Sequence, residues 1–184
     1  MKTISLILII YICTACVPAN EFFFTQYRVQ KGTNYSIPQA ACPPIPQDYI
    51  TFQFKTNETW DFDYEGNFGS KIAGIYWLYP HQCSVRIGLL TDKEGTEWLW
   101  YYIYDVVAPE GRFMGKIAPL KMNYTYEVTL GLKAGNWFIY IDGNEIEIPT
   151  NFKPSFEPRG FDSPYYGGEP TAPHTWNVPI KIVL

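Results

Sequence analysis

Alternation with a period of two residues is the feature that most constrains the fold of this chain. Ile50, Phe52 and Phe54 alternate with polar residues, and the same pattern returns in residues 123–132. Side chains that alternate in this way point to opposite faces of a β-strand, so that one face is buried and the other is solvated. No segment after residue 19 has helical periodicity. We therefore expect an all-β protein built as a single antiparallel β-sandwich.

The strand-like runs are separated by turn signals and by long segments rich in Pro and Gly. Residues 82–90 and 96–106 flank the polar turn 91–95 and are predicted to pair as a hairpin. Residues 107–121 and 149–176 are predicted to be loops because of their Pro and Gly content. Further strands are predicted at 50–55, 60–65, 123–132, 137–141, 145–148 and 178–182, with an edge strand or extended arm at 21–30.

The first 19 residues have the features of a signal peptide. Lys2 precedes an apolar run over residues 4–12, and Val17-Pro18-Ala19 offers a cleavage site of small residues. We expect a secreted, extracellular protein with a signal peptide at 1–19, an extended lead at 20–47 and one sandwich domain at 48–184. A lipid anchor on Cys16 is the alternative. The apolar run is too short for a stable transmembrane segment.

Removal of such a leader would retain Cys42 and Cys83. In an oxidising compartment the simplest prediction is a disulfide between them, which would attach the N-terminal lead to the central sheet. Two buried thiols are the alternative.

The composition excludes several kinds of partner and site. The formal net charge is −4 and the chain has no run of Lys or Arg, which argues against nucleic acid. Two His and few Cys leave no zinc site. Asp61, Asp63 and Glu65 imitate the start of a calcium-binding loop, but its twelfth position is Ile72 instead of Glu. We expect a monomer without metal or cofactor, and a structural calcium elsewhere stays open.

One face of the predicted central hairpin combines a cation with aromatic side chains. Alternation places Ser84 and Arg86 on one face of the first strand, and the facing strand carries a ladder of four aromatic residues, Trp98, Trp100, Tyr102 and Tyr104. Tyr and Trp rings present both an apolar face and a polar group, which suits an acidic sugar polymer. Two alternatives stay open: the ladder belongs to the core, or Arg86 pairs with Asp61 or Asp63.

Five short segments, in order, resemble a known group of proteins. W-F-I-Y-I-D-G at 137–143 is typical of concanavalin A-like jelly rolls. N-F-G-S-K-I-A-G-I-Y at 67–76 resembles the corresponding segment of the jelly-roll alginate and glucuronan lyases. Ser84-Val85-Arg86, Tyr102-Ile103-Tyr104 and Y-Y-G-G-E-P-T-A-P-H at 165–174 resemble further segments of those enzymes. The resemblance covers roughly residues 50–184 and implies a concanavalin A-like jelly roll.

The resemblance also implies a reaction, which is β-elimination at a uronic acid in an acidic polysaccharide. Arg86 and Lys71 would bind the uronate carboxylate, and Tyr102 or Tyr104 would act as base, acid or both. His81 is a candidate partner in proton transfer. The expected substrate-binding residues are Ser84, Trp77, Trp98 and Trp100.

Two other functions remain open on the same fold. A non-catalytic carbohydrate-binding or adhesion domain would keep the groove without the chemistry. A structural or surface protein would have no sugar ligand.

Overall fold

The computed structural model describes residues 24–38, 48–62, 69–77, 83–105, 111–148, 160–167 and 171–183. Within these ranges the chain forms β-strands and one 3-10 turn, Glu58–Trp60, and no α-helix. The strands are β1 (Thr25–Val29), β2 (Ser36–Ile37), β3 (Tyr49–Lys55), β4 (Ser70–Tyr76), β5 (Cys83–Thr91), β6 (Glu97–Asp105), β7 (Arg112–Pro119), β8 (Thr125–Lys133), β9 (Asn136–Ile141), β10 (Asn144–Ile146), β11 (Gly160–Asp162) and β12 (Trp176–Val183).

The strands form two antiparallel sheets that pack face to face. The seven-stranded sheet has the order β10-β9-β8-β3-β12-β1-β2, and the five-stranded sheet has the order β11-β4-β5-β6-β7. Consecutive strands often pair, as in β4-β5-β6-β7, while β12 returns to lie between β1 and β3. The predicted all-β fold, an antiparallel jelly-roll sandwich, is confirmed.

The core lies between the inner faces of the two sheets. Phe52 and Phe54 of β3 are fully buried, as are Val85 and Ile87 of β5. The polar residues that alternate with Phe52 and Phe54 stay partly exposed, which is the pattern of a sheet with one solvated face. Period-two alternation therefore identified the inward face of this strand correctly.

The hairpin of β9 and β10 confirms a local prediction. Ile141 pairs with Asn144, so that Asp142 and Gly143 form a two-residue turn. Both have positive φ, 50° and 77°, which is the type I′ conformation that matches the twist of the flanking strands. Asp and Gly are two of the residues that adopt this conformation most readily.

Two strands lie inside segments that we predicted to be loops, and those predictions are wrong. Strand β7 runs along the edge of the five-stranded sheet. A Cβ on its Gly115 would lie 2.6 Å from the ring of Tyr101, so this glycine makes room for an aromatic side chain instead of breaking the strand. Strand β11 has only three residues and pairs with β4. Edge strands tolerate Gly and Pro because only one side of the strand needs backbone hydrogen-bond partners.

Two N-terminal predictions also change. The strand predicted at 60–65 is absent from Trp60–Phe62, where the 3-10 turn is followed by two residues without regular structure. The side chains of Trp60 and Phe62 are nevertheless buried. Strands β1 and β2 lie within the predicted lead, yet β1 pairs with β12 in the seven-stranded sheet. The sandwich therefore begins before the predicted boundary at residue 48.

Several predictions fall outside the described residues: the signal peptide, Cys16, Cys42 and His81. The side chain of Cys83 is buried, and its Sγ lies 3.7 Å from Oδ1 of Asp105 as a donor. The disulfide with Cys42 stays a prediction. In the described part of the chain, no helix has the length and apolar character needed to cross a membrane.

Trp77 links the two sheets, and its replacement tests the core. Its side chain is 0% exposed and packs on Trp137 of β9, with ring centroids 5.0 Å apart. Trp77→Ala should lower the free energy of unfolding by about 3–5 kcal/mol, because it removes a large buried side chain and leaves a cavity. Urea denaturation measures this. Met114→Ala, at an exposed position, should change it by about 0.5 kcal/mol or less. Equal effects of the two would contradict this placement of Trp77.

Candidate functional site

The outer face of the five-stranded sheet holds most of the predicted site residues. In the register of β5 and β6, Arg86 lies opposite Tyr102 and Ser84 lies opposite Tyr104. Directly paired residues of antiparallel strands share a face, so the cation and the tyrosines are on the same side, as alternation predicted. Alternation left open which aromatic residue lies beside Arg86. The register shows that it is Tyr102.

Arg86 forms a buried ion pair with a residue that sequence analysis missed. Its Nη2 contacts Oδ2 of Asp162 on β11, and both residues are only 1% exposed. Gly74 of β4 lies between them in the sheet, paired with both. A Cβ at Gly74 would lie 2.7 Å from Cα and 2.8 Å from Cγ of Arg86. The absence of a side chain there allows the guanidinium to cross β4 and reach the carboxylate.

Arg86 also contacts the other predicted site residue of its strand. Nε of Arg86 donates a hydrogen bond to Oγ of Ser84 at 3.1 Å, and Ser84 is fully buried. Both side chains therefore lie beneath the surface of the sheet, and their roles toward a substrate stay predictions. The alternative partner Asp63 lies outside the described residues, and Asp162 is an ion-pair partner that neither alternative included.

Lys71 lies at a β-bulge in β4, where the pairing with β5 shifts between Lys71 and Ala73. Its Nζ donates to the carbonyl oxygen of Gly167 at 3.2 Å and lies 5.0 Å from the ring centroid of Tyr102. The pKa of Lys71 is lowered from 10.5 to about 8, mainly by burial and additionally by the positive charges of Arg86 and Arg112. The amine is thus half neutral near pH 8.

The pKa of Tyr102 is shifted in the opposite direction, upward. Burial raises the pKa of its phenol above the ordinary value of 10, although the positive charges of Arg112 and Arg86 oppose that rise. The phenol therefore stays protonated at neutral pH. Tyr104 lies beside it, with ring centroids 6.1 Å apart. The site consequently pairs a weakly basic amine with a weakly acidic phenol.

Arg112 supplies an accessible positive charge that sequence analysis missed. Its guanidinium lies 5.0 Å from the ring centroid of Tyr104, to which it is paired across β6 and β7, and the residue is exposed. The prediction of a loop at 107–121 hides the alternation of Arg112, Met114 and Lys116, which lie on one face of β7.

The segment after β11 forms one wall of the site. Tyr165 is bonded to Lys71 through both backbone groups, with N···O distances of 2.7 and 2.9 Å. Its ring lies 5.8 Å from Nζ of Lys71 and meets Tyr35 edge to face at 5.2 Å. The resemblance of segment 165–174 to the lyases indicated in the sequence that this segment belongs to the site. Its contact with Lys71 is visible only in the fold.

The predicted tryptophans divide into three environments. Trp77 is in the core, away from this face. Trp100 is buried, and its ring fills the space above Gly69 and Gly88; a Cβ on Gly69 would lie 2.3 Å from the ring. Trp98 is half-buried, donates from Nε1 to Asp92 at 2.7 Å, and has Nζ of Lys116 4.4 Å from its ring centroid. Of the three, Trp98 is the one whose side chain stays partly exposed.

His174, at the end of the segment 165–174, lies away from this face. It stacks on Phe62 at 4.7 Å and its Nε2 is 3.1 Å from the carbonyl oxygen of Thr59, so its contacts are with the core side of the structure. Among the described residues, no group of three or more His, Cys, Asp and Glu side chains is arranged to hold a metal ion.

Comparison with known proteins shows the fold. No protein-family model and no curated protein matches this chain. The solved structure of the alginate lyase AlyC3 superposes with a TM-score of 0.60 at 7% identity, over 87% of this chain and 74% of that one. The family 18 polysaccharide lyase aly-SJ02 superposes with a TM-score of 0.53 at 7% identity, over 90% and 88%. This chain has the jelly-roll fold of such lyases.

The pKa of Lys71 can be measured directly. Reductive methylation with isotopically labelled formaldehyde, followed by NMR titration, should give a midpoint near 8 for Lys71. Lys71→Arg assigns the signal by removing it. Arg112→Met should move the midpoint upward, because it removes a positive charge that disfavours the ammonium form. A midpoint for Lys71 at the ordinary value of 10.5 would contradict the buried, cation-rich environment.

The buried ion pair can be compared with an exposed one. Asp162→Asn should lower the free energy of unfolding by about 3–5 kcal/mol, because it leaves Arg86 buried without a compensating charge. Lys116→Met breaks the pair with Asp92, which is 3.1 Å long with the lysine side chain 44% exposed. That change should cost about 1 kcal/mol or less. Urea denaturation of both variants distinguishes the two environments, and equal losses would argue against the buried pair.

Proposed function

We propose that this protein is a secreted, lyase-like protein that cleaves a uronic-acid polymer by β-elimination on the outer face of the five-stranded sheet. The observation that carries the proposal is the position of Lys71 Nζ, 5.0 Å from the ring of Tyr102, with the amine pKa lowered to about 8. The shared fold with alginate lyases supports the coarse assignment, and the chemistry rests on these side chains.

Elimination at a uronate needs three groups around one sugar ring. A cation must offset the charge that develops on the carboxylate when the C5 proton leaves. A base must take that proton, and an acid must protonate the departing 4-oxygen. Arg112 is exposed at the edge of the face and suits the first role because a guanidinium binds a carboxylate through two parallel donors.

Lys71 and Tyr102 suit the other two roles. The neutral amine of Lys71 takes the C5 proton; the C4–C5 double bond forms as the C4–O bond breaks, and the phenol of Tyr102 delivers its proton to the 4-oxygen. Return of a proton from the Lys71 ammonium to the Tyr102 phenolate restores both groups. The resemblance implies that a tyrosine acts as base, acid or both. The raised pKa of Tyr102 favours the role of acid. Tyr104 would position the sugar beside Arg112.

A non-catalytic carbohydrate-binding domain is the second candidate. Asp162 offsets the charge of Arg86, and Arg86 is buried, so one of the two cations expected to face the uronate is withdrawn from it. If Arg112 alone cannot stabilise the developing charge, the face binds the acidic polymer without cleaving it.

The assay is the ultraviolet absorbance of the unsaturated product formed from alginate or glucuronan. We expect product with the native chain and a loss of about 10²–10⁴-fold in kcat for Lys71→Met and Tyr102→Phe, because each removes a proton-transfer group. Lys55→Met, on an exposed residue of the other sheet, is the matched control and should retain full activity. The rate should rise with pH to about 8, as Lys71 becomes neutral, and fall when Tyr102 ionises above pH 10.

Three results would decide between the candidates. No product from any uronate polymer, together with retention on immobilised alginate, would replace the lyase with the binding domain. Product formation unaffected by both Lys71→Met and Tyr102→Phe would contradict the assigned roles. Neither cleavage nor retention would overturn both candidates.

A further inference from the structure

The outer face of the seven-stranded sheet, on the opposite side of the sandwich, carries a second cleft. Its volume is about 380 Å³, and the residues that line it are Tyr49, Glu127, Thr129, Phe138, Tyr140 and Gly143. A cavity of this size is within the range of about 300–1,000 Å³ found for small-ligand sites. The cleft lies on different strands from Lys71 and Tyr102, since it is formed by β3, β8 and β9.

The register explains why these side chains converge. Gly131 of β8 pairs with Tyr49 on one side and Phe138 on the other. A Cβ at Gly131 would lie 2.5 Å from Cα of Tyr49, so a glycine at this position lets Tyr49 pack closely on β8. One step along the sheet, Thr129 pairs with Thr51 and Tyr140. The strand pairing thus brings the side chains of the cleft together, and Gly143 of the β9-β10 turn completes its lining.

The aromatic residues form a platform that is open to solvent. Phe138 and Tyr140 are half-buried, with ring centroids 5.6 Å apart and planes at 57°. Tyr49 is 45% exposed. Neighbouring polar groups surround the platform: the hydroxyls of Thr51 and Thr129 lie 2.9 Å apart. Rings with adjacent hydroxyl groups match a ligand that has both apolar C–H faces and hydroxyls at its edges, which is the chemistry of a sugar.

The charge of the cleft selects the kind of sugar. Of the residues that line it, Glu127 is the charged one, and Nε2 of Gln53 holds one of its carboxylate oxygens at 2.9 Å. Asp142 lies at the same end, where its Oδ1 accepts from the backbone N–H of Glu127. The lysines of this face lie outside the lining: Lys181 pairs with Gln53, Lys55 pairs with Thr125, and Lys133 lies beyond the opposite end of the paired segment. Inside the cleft, the carboxylate accepts hydrogen bonds from sugar hydroxyls and disfavours a uronate placed directly against it.

We propose that this cleft binds a neutral, hydroxyl-rich polysaccharide, separately from the acidic polymer proposed for the other sheet. Tyr49, Phe138 and Tyr140 would contact the sugar rings, and Glu127 and Thr129 would accept or exchange hydrogen bonds with hydroxyl groups. The two faces would then let one domain hold a neutral matrix component while its other face meets a uronate chain. This inference does not depend on the other face being catalytic.

Affinity electrophoresis in gels containing hydroxyethyl cellulose, galactomannan or alginate tests the proposal. At least one neutral polymer should retard the native chain. Tyr140→Ala and Tyr49→Ala should each weaken that binding by about tenfold or more, because exposed aromatic contacts dominate such sites. Tyr35→Ala is the matched control, since Tyr35 is 52% exposed but contacts Tyr165 beside the other site, and it should leave binding to the neutral polymer unchanged.

The outcomes separate this proposal from the proposed function. Lys71→Met should retain neutral-polymer binding, and Tyr140→Ala should retain cleavage of alginate. Circular dichroism and urea midpoints establish that each variant is folded; Tyr49, at the start of a strand, is the substitution that disturbs the fold least. The proposal is overturned if no neutral polymer retards the native chain, or if retardation is lost in Lys71→Met and Tyr35→Ala but kept in Tyr49→Ala.

Discussion

The buried ion pair between Arg86 and Asp162 is the interaction on which the candidate site depends. A guanidinium removed from water costs several kcal/mol unless a carboxylate and hydrogen-bond acceptors surround it. Asp162 and Ser84 meet that requirement. Gly74 has no side chain, so the side chain of Arg86 can cross β4 to reach Asp162. Because Asp162 must lie within reach of Arg86, the short strand β11 is held against β4, and the segment that follows it is brought over the sheet.

That segment in turn sets the environment of Lys71. Tyr165 pairs with the backbone of Lys71, and the carbonyl of Gly167 accepts from its Nζ. These contacts take the amine partly out of water, and burial is the main reason that its pKa falls. Arg86 acts on the same pKa from beneath the surface and Arg112 acts from the edge of the sheet. A residue buried for structural reasons thus contributes to the chemistry of an exposed neighbour through its charge.

The sequence predicted the fold and the shared face, but not the depth of each side chain. Period-two alternation assigned Arg86 and Tyr102 to one side because it reports direction, and the antiparallel register agrees. It carries no information on distance from solvent, so it left open whether the aromatic ladder belongs to the core and did not predict that Arg86 and Trp100 are buried. Their burial depends on Asp162 and on glycines of other strands, which are remote in sequence. Arg112 was missed for a local reason: Pro and Gly at an edge strand imitate a loop.

The sandwich explains how one small domain can present two chemically different faces. Its sheets share a core, so the inner positions of every strand are committed to packing, while the outer positions of each sheet vary independently. On the five-stranded sheet these positions carry Lys71, Arg112 and tyrosines. On the seven-stranded sheet they carry Glu127 with Phe138 and Tyr140. The acidic polymer proposed for the first face would meet cations there and a carboxylate in the cleft of the second face, and the core separates the two. Binding on one of the proposed sites therefore need not compete with binding on the other.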